Sequence, residues 1–507
     1  MYSVIRSASV IGINARQVDV EVDTSRGLPA FNIVGLHDTA VNESRERVRS
    51  AIKNSGFNFP SGRITVNLAP AYIKKEGPSL DLPIALGIIA STMEKGFNDP
   101  SRFVIMGELS LEGKIRPVSG VLPVALDIVK KFNKELIIPK ENLNESLLVQ
   151  GIKIHTVSDL NEAVEILKEI RNEPFLSDTN HIIKDPAVNY IGCFSEVKGQ
   201  KYAKRALEIA ATGGHNVLMS GPPGSGKTML ARRLCSILPE MSWDEALEVT
   251  KIYSVTGLLS AGTPVITTRP FRSPHHSASM AGLVGGGAFP KPGEVSLSHL
   301  GVLFLDELPE FRRDLLEVLR QPLEDCFVSI SRTKMSITYP ASFMLVGAMN
   351  PCPCGYFSDD EKECNCSATQ VLKYMKKISG PLLDRIDIHM ELPRLKTNEF
   401  FANENAESSE AIKKRVEISR DFQRERFNGT KIYSNSMMTS KEIKKYCVLD
   451  SKAKNILESA VKRLGLSARA YDKILKISRT IADLNLRDKI ITDDVLEAVG
   501  FRNFDRR

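Results

Sequence analysis

The hydrophobic pattern changes twice along the 507-residue chain and so separates three regions. Up to about residue 167, alternating segments such as VDVEVD and ITVNLAP predict strands, and Asn42–Asn54 and Val121–Phe132 predict helices. The next region contains continuous apolar runs, which are typical of strands buried in a parallel sheet. The last region, from about Asn398, shows heptad-like apolar spacing in AKNILESAVKRLGLSARAYDKILKISRTIADL, which predicts packed helices.

Residues 168–190 join the first two regions with little periodicity and two prolines, which predicts a linker. We therefore expect an α/β multidomain protein. Its parts are an α+β domain over residues 1–167, a parallel-sheet core over residues 191–396 and a helical domain over residues 397–507. The length agrees with this division, because a single hydrophobic core rarely serves a chain of this size.

The net charge adds information about partners. The formal charge is +7, and from residue 396 onward 24 Lys and Arg accompany 17 Asp and Glu, so the surplus lies in the helical region. This surplus is compatible with a nucleic-acid partner and equally with a solvated helical surface. No apolar run approaches the ~18 residues of a membrane span, and the N-terminus lacks a signal peptide's apolar block. We expect a cytoplasmic protein.

The stretch GHNVLMSGPPGSGKTML combines an apolar strand, a glycine-rich loop and a helical pattern. The loop follows G-x-x-x-x-G-K-[ST], in which backbone N–H groups surround a phosphate at a helix N-terminus. Lys227 is expected to reach the β and γ phosphates, and the Thr228 hydroxyl to bind Mg²⁺. The predicted phosphate-binding residues are Gly221, Pro222, Pro223, Gly224, Ser225, Gly226, Lys227 and Thr228. The chain is therefore predicted to bind a nucleoside triphosphate.

Two further apolar runs end in polar side chains. The run GVLFL ends in Asp306 and Glu307, and the run beginning at Ser342 ends in Asn350. Because ligands bind at the carboxyl ends of parallel strands, Asp306 is expected to bind Mg²⁺ and Glu307 to orient and deprotonate the attacking water. Asn350 either positions that water or simply begins a turn before Pro351.

Half of the eight cysteines lie just beyond Asn350, in the pattern C-x-C-x9-C-x-C formed by Cys352, Cys354, Cys364 and Cys366. In a reducing compartment such cysteines are metal ligands or thiols rather than disulfides. Four thiolates suit tetrahedral Zn²⁺, and the polar loop between the pairs can fold back. We favour a structural zinc that acts as a local staple, with reduced thiols as the alternative.

The core also resembles a known family. The stretch RPFRSPHHSASMAGLVGGGAFPKPGEVSLSHLGVLFLDELPEF resembles magnesium-chelatase-like AAA+ ATPases, and the whole chain resembles the ComM/YifB family. This resemblance implies that Val197 and Gln200 border the adenine. It also implies that Arg385, in GPLLDRID, is an arginine finger that completes a neighbouring subunit's site in a hexameric ring. Arg469, after Ser467, would sense the γ-phosphate from a helical lid domain. A simple Asp–Arg surface pair is the alternative for Arg385.

The N-terminal region resembles the Lon-protease-like domain, which has the ribosomal S5 domain 2-like fold, in the segments following Ile64 and Met106. In that family a serine and a lysine form a catalytic dyad. Ser79 occupies the serine position, but Leu122 occupies the lysine position, and leucine cannot activate a hydroxyl. Lys114 and Lys130 are near in sequence but off the motif. A scaffold or partner-binding domain is therefore preferred over an active protease.

The best-studied relatives implied by the resemblance are hexameric DNA branch-migration helicases that assist natural transformation. The segment FVSISRTKMSITY predicts a hairpin, on which Arg332 and Lys334 would contact DNA phosphates in the ring pore. An ordinary solvated hairpin is the alternative. The segment Ser273–Gly287, with His275 and His276, is expected to approach the pore as well. An ATPase that remodels a protein partner, as in the chelatases, remains the alternative function.

Overall fold

The computed structural model describes residues 1–35, 38–73, 75, 77–170, 173–176, 192–259, 265–287, 289–332, 335–357, 359, 361–394, 406–430 and 432–502. The N-terminal region contains two four-stranded sheets. Its strands are β1 (Tyr2–Ile11), β2 (Asn14–Ser25), β3 (Ala30–Val34), β4 (Arg63–Ala69), β5 (Phe103–Ile105), β6 (Glu108–Leu109), β7 (Ile115–Arg116), β8 (Glu135–Pro139), β9 (Lys153–Val157) and β10 (Phe175–Leu176). Its helices are α1 (Asp38–Asn54), α2 (Asp81–Thr92), α3 (Val121–Val124), α4 (Leu143–Ser146) and α5 (Leu160–Leu167).

The first sheet has the order β1-β2-β4-β3, and only the β3–β4 pair is parallel. Apolar and polar residues alternate along β2, and this alternation sets which face of the strand is buried. Val18, Val20 and Val22 are fully buried against α2, while the intervening side chains are more exposed. The second sheet has the order β10-β9-β8-β5. The α+β prediction for this region is therefore confirmed.

One part of the predicted linker is structured. Phe175 and Leu176 form β10, which pairs antiparallel with β9 and so extends the N-terminal domain into residues 168–190. The short strand escaped the sequence analysis because two residues give no periodicity. Residues 177–190 and the predicted boundary between residues 396 and 397 lie outside the described part of the chain.

The middle region forms a five-stranded parallel sheet. Its strands and the small hairpins around it are β11 (Val217–Ser220), β12 (Phe271–Arg272), β13 (Gly285–Gly286), β14 (Lys291–Pro292), β15 (Val302–Leu305), β16 (Phe327–Arg332), β17 (Met335–Pro340), β18 (Met344–Met349) and β19 (Ile388–Glu391). The sheet has the order β12-β15-β18-β11-β19. Every residue of β11, β15 and β18 is buried, as the continuous apolar runs predict.

Helices cover both faces of this sheet and then form the C-terminal region. The core helices are α6 (Lys201–Gly213), α7 (Lys227–Leu234), α8 (Trp243–Thr256), α9 (Met280–Leu283), α10 (Glu294–Leu297), α11 (Arg313–Val318), α12 (Arg320–Asp325), α13 (Ala368–Met375) and α14 (Gly380–Leu383). The C-terminal helices are α15 (Ser409–Arg426), α16 (Ser440–Tyr446), α17 (Ser451–Leu464), α18 (Ala468–Leu484) and α19 (Thr492–Gly500). One hydrophobic cluster joins these last helices to β11 and α6.

The N-terminal domain packs directly on the parallel-sheet core. Leu122, at the position of the dyad lysine, is fully buried in a cluster that also contains Trp243 and Ala246 of α8. Next to it, the Ser254 hydroxyl donates to Glu145, and the Leu122 backbone N–H donates to the same carboxylate at 2.9 Å. The position that the Lon resemblance assigns to the catalytic base is thus part of a buried interface with the core. Among the described residues, no helix is both long enough and apolar enough to cross a membrane.

Candidate nucleotide site

The glycine-rich loop leaves the carboxyl end of β11 and continues into α7. Gly224 and Gly226 adopt φ values of 79° and 86°, which turn the backbone so that the first N–H groups of α7 point towards the loop. Gly221 is needed for another reason, since a Cβ there would lie 2.4 Å from the Leu392 carbonyl oxygen. The loop is therefore built from backbone groups, as a phosphate-binding loop requires.

Lys227 is folded over its own loop. Its Nζ donates to the carbonyl oxygens of Gly221 at 2.7 Å and Pro222 at 2.9 Å, and it lies 3.4 Å from the Ser225 hydroxyl. Burial lowers the pKa of Lys227 to about 8, although the carboxylates of Asp306 and Glu307 oppose the shift. A bound triphosphate would supply negative charge that raises this pKa again.

Thr228 and Asp306 meet across the site. The Thr228 hydroxyl donates to Asp306 Oδ2 at 2.7 Å, and the other carboxylate oxygen accepts from the Glu307 backbone N–H at 2.9 Å. A hydroxyl and a carboxylate at this separation are the hard oxygen ligands that Mg²⁺ prefers. The two residues therefore fit Mg²⁺, which would reduce the repulsion between phosphate charges.

Glu307 projects from the turn after β15. Its backbone is in the left-handed region, with φ of 51°, and its side chain is 58% exposed, so the carboxylate can reach a substrate water. His276 Nδ1 lies 3.6 Å from Glu307 Oε2. The sequence predicts that His276 approaches the pore, but it does not predict the proximity of His276 to this carboxylate.

Asn350 follows β18, which lies between β15 and β11 in the sheet. Its Oδ1 lies 3.3 Å from Lys227 Nζ, and the preceding Met349 carbonyl accepts from the Gly221 backbone N–H at 3.2 Å. Asp306, Asn350 and the loop thus share the carboxyl edge of three neighbouring strands.

Gln200 and Val197 lie before α6. Gln200 Nε2 donates to the Ser225 carbonyl at 3.1 Å, which places Gln200 against the phosphate loop. Val197 is fully buried in the core, and its carbonyl accepts from Lys204 Nζ at 2.5 Å. Gln200 thus borders the loop, whereas the side chain of Val197 packs in the hydrophobic core.

Arg385 and Arg469 share a partner, Glu324, that the sequence pattern does not predict. Arg385 is 8% exposed, donates to the Pro381 carbonyl at 2.6 Å and pairs with Glu324 of α12. Arg469 is 61% exposed, and its Nη2 lies 3.7 Å from Glu324 Oε1. The hydroxyl of Ser467 caps α18 by accepting from the Ala470 backbone N–H at 3.2 Å. Within one chain, the Glu324 carboxylate therefore lies within ion-pair distance of both arginines.

The four clustered cysteines converge. Their sulfur atoms all lie within 4.8 Å of one another, and the pairs formed by Cys352, Cys354 and Cys364 are separated by 3.3 to 3.7 Å. Tetrahedral Zn–S bonds of ~2.3 Å place sulfurs about 3.8 Å apart, so the donor set, which also includes Cys366, fits zinc. A backbone hydrogen bond from Tyr356 lowers the pKa of Cys354 to about 6, and the Phe357 N–H donates to Cys352 Sγ at 3.3 Å.

The predicted hairpin consists of β16 and β17, which pair antiparallel from Phe327 with Pro340 to Arg332 with Met335. The structure places Arg332 at the end of β16, and Lys334 lies outside the described residues. The turn between β1 and β2 contacts this hairpin, because a Cβ on Gly12 would lie 2.9 Å from Ile337. The rings of His275 and His276 lie 4.0 Å apart, between centroids.

Comparisons with known proteins follow the same three regions. Family models match residues 193–400 (magnesium chelatase, subunit ChlI), 20–142 (subunit ChlI of Mg-chelatase) and 406–502 (magnesium chelatase, subunit ChlI C-terminal). Lon protease of Koribacter versatilis is 26% identical over 160 residues, which cover 29% of this chain and 19% of the protease.

Two relatives match almost end to end. Competence protein ComM of Haemophilus influenzae is 44% identical over 507 residues, covering 99% of this chain and 97% of ComM. The uncharacterized protein YifB of Escherichia coli is 42% identical, with the same coverage of both chains. With a Lon-like N-terminal domain, an ATP-binding parallel-sheet core and a helical C-terminal region, the chain belongs to the ComM/YifB family of magnesium-chelatase-like AAA+ proteins.

Proposed function

We propose that this chain is an ATP-hydrolysing motor that assembles into a hexameric ring and moves on branched or single-stranded DNA. The observation that carries the ATPase part is the carboxyl edge of the parallel sheet. There Lys227 lies on the phosphate loop, Thr228 donates to Asp306, and Glu307 projects beside them. These groups would bind the triphosphate with Mg²⁺ and activate water.

The DNA part of the proposal rests on the hairpin and on the relatives. Arg332 ends β16, Lys334 follows two residues later in the sequence, and the C-terminal region carries the chain's whole positive surplus. Cationic side chains on such a hairpin would contact phosphates without reading sequence. One relative that matches nearly end to end, ComM of Haemophilus influenzae, is a competence protein. Branch migration during natural transformation is the role that we propose. The Lon-like domain would serve as a scaffold rather than as a protease, because Leu122 offers no base.

Forked DNA is expected to stimulate ATP hydrolysis by the purified protein, and the stimulation should weaken as salt rises. The reason is that phosphate contacts release counterions, so the affinity falls steeply with salt concentration. The measurement is the steady-state ATPase rate with and without forked DNA at low and moderate salt. The matched control is the variant Arg332→Ala with Lys334→Ala, which should keep the basal rate and lose the stimulation. A rate that responds to no DNA would instead favour a protein target.

Purified protein is expected to contain about one equivalent of zinc, held by Cys352, Cys354, Cys364 and Cys366. Four sulfurs already gathered within 4.8 Å need little rearrangement to surround the ion. Metal analysis by mass spectrometry measures the content directly. Less than about half an equivalent in protein purified without chelators would contradict the zinc site.

A further inference from the structure

The cysteine cluster lies directly on the nucleotide site. Gly355, next to Cys354, has φ of 88°, and a Cβ there would lie 2.7 Å from Pro223 Cδ in the phosphate loop. The same Cβ would lie 3.9 Å from Asn350 Cγ. The turn that carries Cys354 thus touches both the phosphate loop and the residue at the end of β18.

The cluster is also connected to the site through the chain itself. Cys352 is fully buried only two residues beyond Asn350, whose Oδ1 lies 3.3 Å from Lys227 Nζ. A shift of the Cys352 sulfur would therefore move the backbone that sets the Asn350 side chain.

A third contact involves the loop between the two cysteine pairs. Glu361 and Asp359 of this loop lie 3.1 Å and 3.7 Å from the Arg394 guanidinium. The neighbouring Pro393 carbonyl lies 3.4 Å from Gln200 Nε2, which also donates to the phosphate loop. The segment from Cys352 to Cys366 therefore contacts the nucleotide site at the loop, at Asn350 and through Arg394.

The described residues of this segment belong to no helix or strand. The conformation of the segment therefore depends on side-chain contacts and on any metal ion that the cysteines bind. A zinc ion with four thiolates would fix both ends of the segment at once. With all four positions taken by protein, such an ion would have no free position for a phosphate, so its effect on ATP would act through the chain.

We propose that zinc bound by the four cysteines holds the phosphate loop and Asn350 in the geometry that binds ATP, so that ATP affinity depends on the zinc. This inference rests on the proposed ATP and zinc sites. In this proposal Gly355 is a positioning residue. Its contact with Pro223 keeps the phosphate loop in place when the cysteine cluster is ordered. The zinc site would then support ATP binding in addition to stabilising its own loop, which is the role that its sequence pattern predicts.

Two variants separate the loss of zinc from the loss of the contact between Gly355 and Pro223. Cys364→Ser should lose zinc, and Gly355→Ala should keep zinc while its new methyl group displaces Pro223. Both should raise the dissociation constant of a fluorescent ATP analogue with Mg²⁺ on the order of tenfold, since small misplacements of binding groups are costly. Cys326→Ser, whose sulfur lies outside the cluster, should change neither zinc content nor affinity. Circular dichroism checks that each variant is folded.

Chelator-treated wild-type protein provides the same test if Cys364→Ser does not fold, because adding zinc back should restore the affinity. Folded, zinc-free protein that binds the ATP analogue as tightly as wild type would overturn the proposal. Unchanged affinity in Gly355→Ala would overturn the role of its contact with Pro223. The proposed function fails separately, since zinc-loaded wild type that binds no nucleotide would contradict the ATP site itself.

Discussion

Replacing Glu307 by Gln is expected to leave ATP binding intact and to slow hydrolysis by about 10²–10⁴-fold, the usual contribution of a positioned general base. The amide keeps the shape of the carboxylate but cannot accept the proton of the attacking water. Thr228, Asp306 and Lys227, which would bind the ion and the phosphates, remain unchanged. Equilibrium binding of a fluorescent ATP analogue and single-turnover hydrolysis measure the two effects separately.

Glu310→Gln is the matched control for this variant. Glu310 lies three residues further along the same turn and pairs with Lys377 at 3.1 Å, so its substitution removes a carboxylate from the same turn. It should hydrolyse ATP at close to the wild-type rate. If Glu307→Gln also turns over at that rate, the base lies elsewhere, and His276, 3.6 Å from Glu307, becomes the first residue to examine.

The sequence predicts the centre of the nucleotide site because each part of it is local. The phosphate loop is contiguous, and Asp306 and Asn350 each follow an apolar run that is typical of a buried strand. Once the strands are parallel, their carboxyl ends share one edge of the sheet, so both side chains are expected beside the phosphate loop. The hairpin and the helix cap at Ser467 are predictable for the same reason, since their signals lie within a few residues.

The contacts that the sequence did not predict join distant segments. Glu324 meets Arg385, which is 61 residues away along the chain, and Gly355 meets Pro223 over an even longer separation. Likewise, Leu122 packs with Trp243 across two domains. Such pairs follow from how helices and loops pack on the sheet, and a single sequence carries no periodic signal for them.

Glu324 changes the interpretation of the predicted arginine finger. Arg385 is nearly buried in its own chain, where Glu324 and the Pro381 carbonyl accept from its guanidinium. To act on a neighbouring triphosphate, the guanidinium must exchange this carboxylate for phosphoryl oxygens, which carry more negative charge. Glu324 is 47% exposed, so solvent weakens the pair and the exchange is feasible.

Arg385→Ala is accordingly expected to lower ATP turnover by about 10³–10⁵-fold, the range found for arginine fingers, while each subunit still binds ATP. Lys227→Ala should be inactive for the opposite reason, because it loses the phosphate contact but keeps Arg385. Mixing the two should restore activity, since an Arg385→Ala subunit can bind ATP while its neighbour supplies the arginine. In a head-to-tail ring with random mixing, about a quarter of the interfaces would have both groups.

The mixing experiment also tests whether Arg385→Ala is inactive only because it misfolds. Arg385→Ala removes a buried side chain, but mixing could not rescue a misfolded subunit. Arg312→Ala is the surface control, since Arg312 is 75% exposed and pairs with Asp314, two residues away. Glu324→Gln should keep most of the activity, because it removes the partner of Arg385 within the chain and leaves the guanidinium in place. If the mixture of Arg385→Ala and Lys227→Ala stays as inactive as its components, Arg385 does not act across a subunit interface. Its contact with Glu324 would then be its structural role.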